Sequence, residues 1–235
     1  MIRFTAITII GLAILAVSPG AKADIHLEIG LAATPTVAQD PALEAYSEKD
    51  LRMGRFGADI RLEVASFWRD IHLLPFIGYR GALDEGDPFG MMETGLKTHD
   101  LFAGFRFRGW FQPWLGIFLE ASGGLLVAGM TGDIWSADGT GARSRYKDKQ
   151  ITWSAGGLAG LELRLSPAML TRRGVTKFNF GGEIGAGYVR RGDISFSPEL
   201  VGGDEYSLPV ESTADWGEIN LSGWVVQIGL TFSFF

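Results

Sequence analysis

Nine ionisable residues pose the chemical question. Glu28, Glu63, Glu120, Glu162 and Glu183 accompany Arg61, Arg106, Arg108 and Arg164, each within a run of otherwise apolar or small residues. Five carboxylates against four guanidiniums is close to balance, and Asp59 and Arg55 add one of each near a rim. If these residues share one enclosed face, the chemistry expected of them is mutual pairing, because removing either partner of a buried pair leaves an uncompensated charge. An ion-selective pore would carry an excess of one sign. A plugged lumen is therefore expected ahead of a narrow channel. Three histidines, His26, His72 and His99, are the other titratable candidates. The first two fall near strand ends, where a polar interface residue needs no special role. His99, with Asp100 beside it, is the weak catalytic candidate. Thr98 is its nearest hydroxyl and no serine lies within several residues, so no nucleophile and base stand together in the sequence.

Other chemistry is thinner still. The chain has no cysteine, which removes disulfides, thiolate zinc sites and cysteine nucleophiles. Gly157 and Gly160 do not form a phosphate-binding fingerprint, because no helical pattern follows them. Neither a cofactor nor a metal site is expected. Six acids between Asp193 and Asp215, with no base, form an anionic stretch, but their spacing lacks the regularity of a calcium loop. Arg143, Arg145 and Lys147, joined by Lys149, form a cationic cluster suited to lipid phosphate, or to pairing with the acidic stretch.

These residues need elements to hold them. Arg3 precedes an apolar run from Phe4 to Val17, and Ala21-Lys22-Ala23 supplies a small-residue cleavage pattern, so residues 1–23 are predicted to be a signal peptide and 24–235 the mature domain. Losing Arg3 and Lys22 with no acid takes the formal charge from −6 to −8, and a nucleic-acid partner is not expected. Glycine at 33 of 235 residues and 12% aromatics describe a folded, glycine-rich chain rather than a disordered one. No later apolar stretch approaches 18 residues, so any membrane crossing must use strands.

Alternation supplies them. Leu101, Ala103, Phe105, Phe107 and Phe111 share one parity, while Arg106 and Arg108 occupy the other; Phe56, Ala58, Ile60, Leu62 and Val64 oppose Arg55, Asp59, Arg61 and Glu63 in the same way. Eight such runs are predicted: 24–32, 53–66, 71–81, 98–111, 113–130, 149–165, 177–192 and 218–235. Long polar connections at 33–52, 82–97, 131–148 and 193–217 alternate with short or moderate ones. That layout predicts an all-β, eight-stranded, antiparallel up-and-down transmembrane β-barrel with its long loops at one end. A soluble lipocalin-like barrel would reverse the apolar parity.

The chain closes on Trp224, Val226, Ile228, Leu230, Phe232 and Phe234 alternating with smaller residues, Phe235 falling off phase. With the leader and the loop asymmetry, this last strand resembles the terminal strands of small bacterial outer-membrane barrels of the OmpA and OmpX type. The resemblance implies a Gram-negative outer-membrane location, outer-leaflet lipid or lipopolysaccharide as a partner, and recognition of the last strand by the barrel-assembly machinery. It implies a structural or surface-interaction role, with a lipid-A-modifying enzyme as the alternative. Lipid-A deacylases of the PagL type pair a histidine with a nearby serine, which His99 lacks. Trp68, Trp110, Phe111, Trp114, Tyr79, Trp135 and Tyr188 are expected in interfacial belts. Strand glycines are expected to make room for large neighbours such as Trp153 or Phe180. Pro75 predicts a bulge or a later strand start, because it donates no ladder hydrogen bond.

Overall fold

The computed structural model describes residues 26–38, 52–53, 55–63, 65–68, 71–86, 92–135, 143–165, 178–197, 199–203 and 217–234. Residues 1–23 and Phe235 lie outside these. Fourteen strands occur among the described residues: β1 (His26–Ala33), β2 (Thr36–Ala38), β3 (Arg52–Met53), β4 (Arg55–Glu63), β5 (Ala65–Trp68), β6 (Ile71–Gly86), β7 (Met92–Gln112), β8 (Leu115–Trp135), β9 (Arg143–Arg164), β10 (Phe178–Arg191), β11 (Ile194–Ser195), β12 (Glu199–Gly203), β13 (Glu218–Ile219) and β14 (Gly223–Phe234). Eight of them make the wall. β1, β4, β6, β7, β8, β9, β10 and β14 pair in that order, all antiparallel, and β14 returns to β1 from Leu27↔Phe234 to Ala33↔Ile228. β2 continues β1 against β14 in the same register, beyond an interruption at Thr34 and Pro35.

Side-chain parity follows from that closure. Hydrocarbon offers no hydrogen-bond partner, so a spanning sheet must have no free edge, and it must turn its apolar parity outward. Ile60, Ile77, Leu101, Leu119, Leu125, Leu161, Ile184, Ile228 and Leu230 are all exposed on the outer surface. The opposite parity of the same strands carries buried Arg61, Arg106, Glu120, Glu162, Glu183 and Thr231. The wall is thus a transmembrane barrel. Tyr79 and the T-shaped Tyr188–Trp224 pair stand at one border of the belt, and exposed Phe111 and Trp114 at the other. Trp110 departs from the expected belt. It shares the inward parity of Arg106 and Arg108, and the Arg164 guanidinium lies 4.1 Å from its ring centroid, so it caps the lumen instead. The side chains of Trp68 and Trp135 lie outside the described residues.

Two predicted connections are corrected. Much of 82–97 and 131–148 is strand, because β6 runs to Gly86, β7 starts at Met92, β8 runs to Trp135 and β9 starts at Arg143. β7 to β9 have 21, 21 and 22 residues, about twice what a tilted strand needs to cross a bilayer. Outside the membrane the apolar parity inverts, since water then lies outside the wall and protein within it. Leu96, Ala128, Met130 and Tyr146 face inward and are buried, whereas Lys97, Arg145, Lys147 and Lys149 face outward. Such stretches look polar in sequence although they pair along their whole length.

Pro75 lies within β6, opposite Phe105 on β7. The ladder on its other side breaks: β4–β6 ends at Arg61↔Phe76 and β5–β6 resumes at Ala65↔Leu73, one residue out of step. The bulge therefore falls on the partner strand, opposite the residue that lacks a donor. Inward glycines make room for phenylalanines other than those anticipated. A Cβ on Gly185 would lie 2.9 Å from the Phe118 ring, and one on Gly104 would lie 2.8 Å from Phe76.

Parity yields a test. Phe105→Arg, on the lipid face near the middle of the β7 belt, is expected to cost about 2–4 kcal/mol, whereas Thr131→Arg, outward but beyond the belt, is expected to cost less than about 0.5 kcal/mol. Equilibrium unfolding of the detergent-purified variants measures both, and equal costs would contradict the belt boundary.

Candidate functional site

The lumen is built in layers, each held by side chains from several strands. At its centre Arg61 donates to Glu28 Oε1 at 2.7 Å and to Glu183 Oε2 and Oε1 at 2.9 Å each, and pairs with Asp59 at 2.5 Å. Arg106 bridges Glu183 (2.5 Å) and Glu120 (2.7 Å). Arg108 bridges Glu28 and Glu162, both at 2.7 Å. Gln227 donates to Glu183 at 2.5 Å and Ser233 to Glu28 at 3.2 Å. All three guanidiniums are essentially inaccessible. Strands β1, β4, β7, β8, β9, β10 and β14 each contribute, so the network ties the wall together across its diameter.

Of the nine residues singled out in the sequence, seven meet here. Glu63 does not, since it pairs with His72 on the neighbouring strand. Arg164 lies against Trp110 near one mouth. Besides Asp59, Gln227 and Ser233 in the network itself, four charged neighbours stand outside those nine. Arg80 faces Glu120 at 3.6 Å and lies 4.0 Å from the Phe102 ring centroid; Arg191, Arg55 and Asp100 form a further group beyond it. Arg80 shares the inward parity of Phe76 and Gly78 and was legible on that ground.

Between these two charged groups lies an apolar layer. Phe118 packs with Leu158, Val189 and Val225, and Phe76 meets Phe102 edge-on at 5.9 Å. The outer mouth is closed by β11 and β13, which pair with each other and bury Ile194, Phe196, Ile219 and Leu221 against Leu96, Leu126, Ala128 and Met130. Part of the predicted 193–217 loop is therefore an apolar stopper. β12 adds to the outer end of β9, with Glu199 opposite Lys147. Asp148 fastens this region, accepting from the Ser197 amide at 2.8 Å, the Lys149 amide at 2.6 Å and Gln150 Nε2 at 3.0 Å. Partial burial works against its charged form, but the bonds from Gln150, Ser197 and Lys149 outweigh it and hold the carboxyl below its ordinary range.

On the outer surface the cationic cluster is spread along a strand rather than a loop. Arg145, Lys147 and Lys149 alternate outward on β9 just beyond exposed Ile151, while the side chain of Arg143 lies outside the described residues. Arg145 is paired with Asp133 at 2.8 Å. Lys149 and Lys97 flank Gly129 from the two sides, in register across β7, β8 and β9. One row closer to the belt stand His99, Val127 and Ile151. His99 Nδ1 lies 2.5 Å from the Tyr79 hydroxyl, and both side chains are exposed on the lipid side. Asp100 points into the lumen, where Ser154 donates to it at 2.8 Å. The adjacent His99 and Asp100 thus lie on opposite faces of the wall and cannot work as a pair. His26 sits on β1, and its side chain lies outside the described residues.

Two outcomes follow. Glu183→Ala strips Arg61 and Arg106 of a shared carboxylate and is expected to cost about 3–5 kcal/mol in thermal or urea unfolding, with Arg164→Ala near the mouth costing less. Asp148 contributes stability above the ordinary aspartate pKa of about 3.9 and loses it as pH falls below that value, because its folded carboxyl titrates lower than its unfolded one. The difference in melting temperature between wild type and Asp148→Asn is therefore expected to shrink between about pH 6 and about pH 3; a constant difference would contradict the assignment.

No protein-family model and no curated protein sequence matches the chain. Among solved structures it is similar to Neisserial surface protein A, at 9% identity over 89% of this chain and 96% of that one, with a TM-score of 0.41. It is also similar to Ail, the attachment invasion locus protein of Yersinia pestis, at 11% identity over 91% of this chain and 100% of that one, with a TM-score of 0.41. The N-terminal β-barrel domain of Pseudomonas aeruginosa OprF matches at 15% identity over 89% of this chain and 97% of that one, with a TM-score of 0.32. The eight-stranded assignment rests on this chain's own closed ladder.

Proposed function

We propose that the protein is an integral barrel of a Gram-negative outer membrane that does not conduct and acts at the cell surface, held in the outer leaflet by lipopolysaccharide phosphates. The observation carrying this reading is the filled lumen. A paired Glu/Arg layer, a phenylalanine layer and an apolar stopper follow one another along its axis, leaving the outer surface and outer loops as the working parts. The rows that contain Lys97, Lys149 and Lys147 support the lipid contact. They begin one step beyond the apolar belt, at the height of headgroups, and Lys97 and Lys149 have no carboxylate directly opposite them in the ladder. Lipid-A chemistry at His99 gains no support from this geometry, since the hydroxyl in reach is a phenol and the nearby carboxylate faces away.

Two measurements test the reading. Purified protein in planar bilayers is expected to give no stepwise conductance, and a stable open level would reject the plug. Lipopolysaccharide is expected to raise the melting temperature of the wild type in detergent. Each lysine near an anionic surface contributes about 1 kcal/mol, so Lys97→Gln with Lys149→Gln is expected to raise the half-saturating concentration roughly thirtyfold. An unchanged value would remove the phosphate contact.

A further inference from the structure

Among the described residues, the charges inside the barrel balance in number but not in position: six arginines (Arg55, Arg61, Arg80, Arg106, Arg108 and Arg191) and six acids (Glu28, Asp59, Asp100, Glu120, Glu162 and Glu183) are buried in the lumen. On the inner side of the phenylalanine layer, three arginines face five carboxylates. On its outer side, Arg55 and Arg191 share Asp100, while Arg80, opposite Asp100 in the ladder, reaches towards Glu120. Even with Arg80 assigned to Glu120 at 3.6 Å, two guanidiniums remain for one carboxylate.

That carboxylate does not satisfy them. Arg55 NH1 and Arg191 NH2 both stand 3.7 Å from Asp100 Oδ2, beyond hydrogen-bond reach, while Oδ1 is occupied by Ser154. Nε, NH1 and NH2 of Arg55 are buried with no hydrogen-bond partner, and so is Nε of Arg191. The Thr98 hydroxyl is also buried and unpartnered, on the same row as Arg55 with only Ala82 between them. The unsatisfied groups here are therefore guanidinium donors and the hydroxyls of Thr98 and Thr34, all able to donate, lying between the apolar stopper and the phenylalanine rings. Water can accept such bonds but leaves the surplus charge in place, and a buried uncompensated charge is strongly disfavoured.

We infer that the outer chamber of the lumen is a binding site for one small anion, a halide or a formate-sized carboxylate, held by Arg55 and Arg191 with Asp100 as the competing internal carboxylate. The planar guanidinium fork suits both ligand types. Arg191 also donates to Leu221 O at 2.5 Å, and its amide bonds Ser222 Oγ at 2.7 Å, so occupancy is linked to seating of the stopper.

The test is thermal unfolding of the full barrel in detergent at constant ionic strength, replacing sodium gluconate, a bulky anion that serves as the control, by sodium bromide or sodium formate. The expected result is a saturable rise in melting temperature with bromide, formate or both, the two arms identifying the ligand class. Arg55→Gln and Arg191→Gln are expected to weaken half-saturation at least about tenfold, since each removes charge-assisted bonds. Asp100→Asn should shift it the other way, which a merely structural role for the cluster would not produce. Should Arg55→Gln fail to fold, the Asp100→Asn shift and a bromide anomalous peak within hydrogen-bond distance of Arg55 in wild-type crystals remain decisive. Equal effects of gluconate and the small anions, an unchanged half-saturation in Asp100→Asn, or ordered water alone beside Arg55 would overturn the site.

Discussion

A backbone group in hydrocarbon has no partner except another backbone group, and the closure of β14 onto β1 answers that constraint. Every other feature is conditioned by it. Closing an eight-stranded sheet produces a narrow interior and a lipid-facing exterior, and the two-residue repeat of a strand then assigns each side chain to one or the other. Charges can only go inward. Once inside a space this narrow they must meet: Arg61 touches Asp59 on its own strand, Glu28 opposite it on the adjacent strand, and Glu183 from β10, which closure brings across the lumen.

The interior network is better understood as an organiser than as a source of net stability. Desolvating several ions at once offsets much of what their attraction returns. What such an arrangement does impose is register, because a one-residue slip of a wall strand would turn its inward charged residue, or Gln227 on β14, towards lipid. The same reasoning explains the layer of Phe76, Phe102 and Phe118, whose rings occupy space left by inward glycines and lie between the two charged groups, with Arg80 reaching past them towards Glu120. Arg106 and Arg80 lie over the Phe118 and Phe102 rings at 4.1 and 4.0 Å, which joins the apolar layer to the ionic ones without a further carboxylate.

Much of this was legible in the sequence, for a physical reason. Within the bilayer, solvent is apolar on one side only, so parity separates cleanly and Phe105 against Arg106 or Leu230 against Thr231 can be read by eye. Beyond the bilayer that contrast fades. Outward Lys147 and inward Tyr146 still alternate, but with inverted polarity and among glycines and threonines, so the outer ends of β7, β8 and β9 look like loops. The stopper was harder still, because Ile194, Phe196, Ile219 and Leu221 are four apolar residues within polar sequence and only their burial together reveals the role. Sequence adjacency also misled at His99 and Asp100, which a strand necessarily sends to opposite faces.

Ring closure itself is open to a direct measurement, aided by the absence of native cysteine. Cysteines placed at Leu31 and Leu230, which face each other across the β1–β14 seam, test it in isolated membranes under oxidation. An intramolecular disulfide confined to this pair, with the chain remaining a monomer, is the result expected of a closed wall in this register. Efficient cross-linking of Leu31 to Ile228 instead, or bonds formed only between chains, would contradict it.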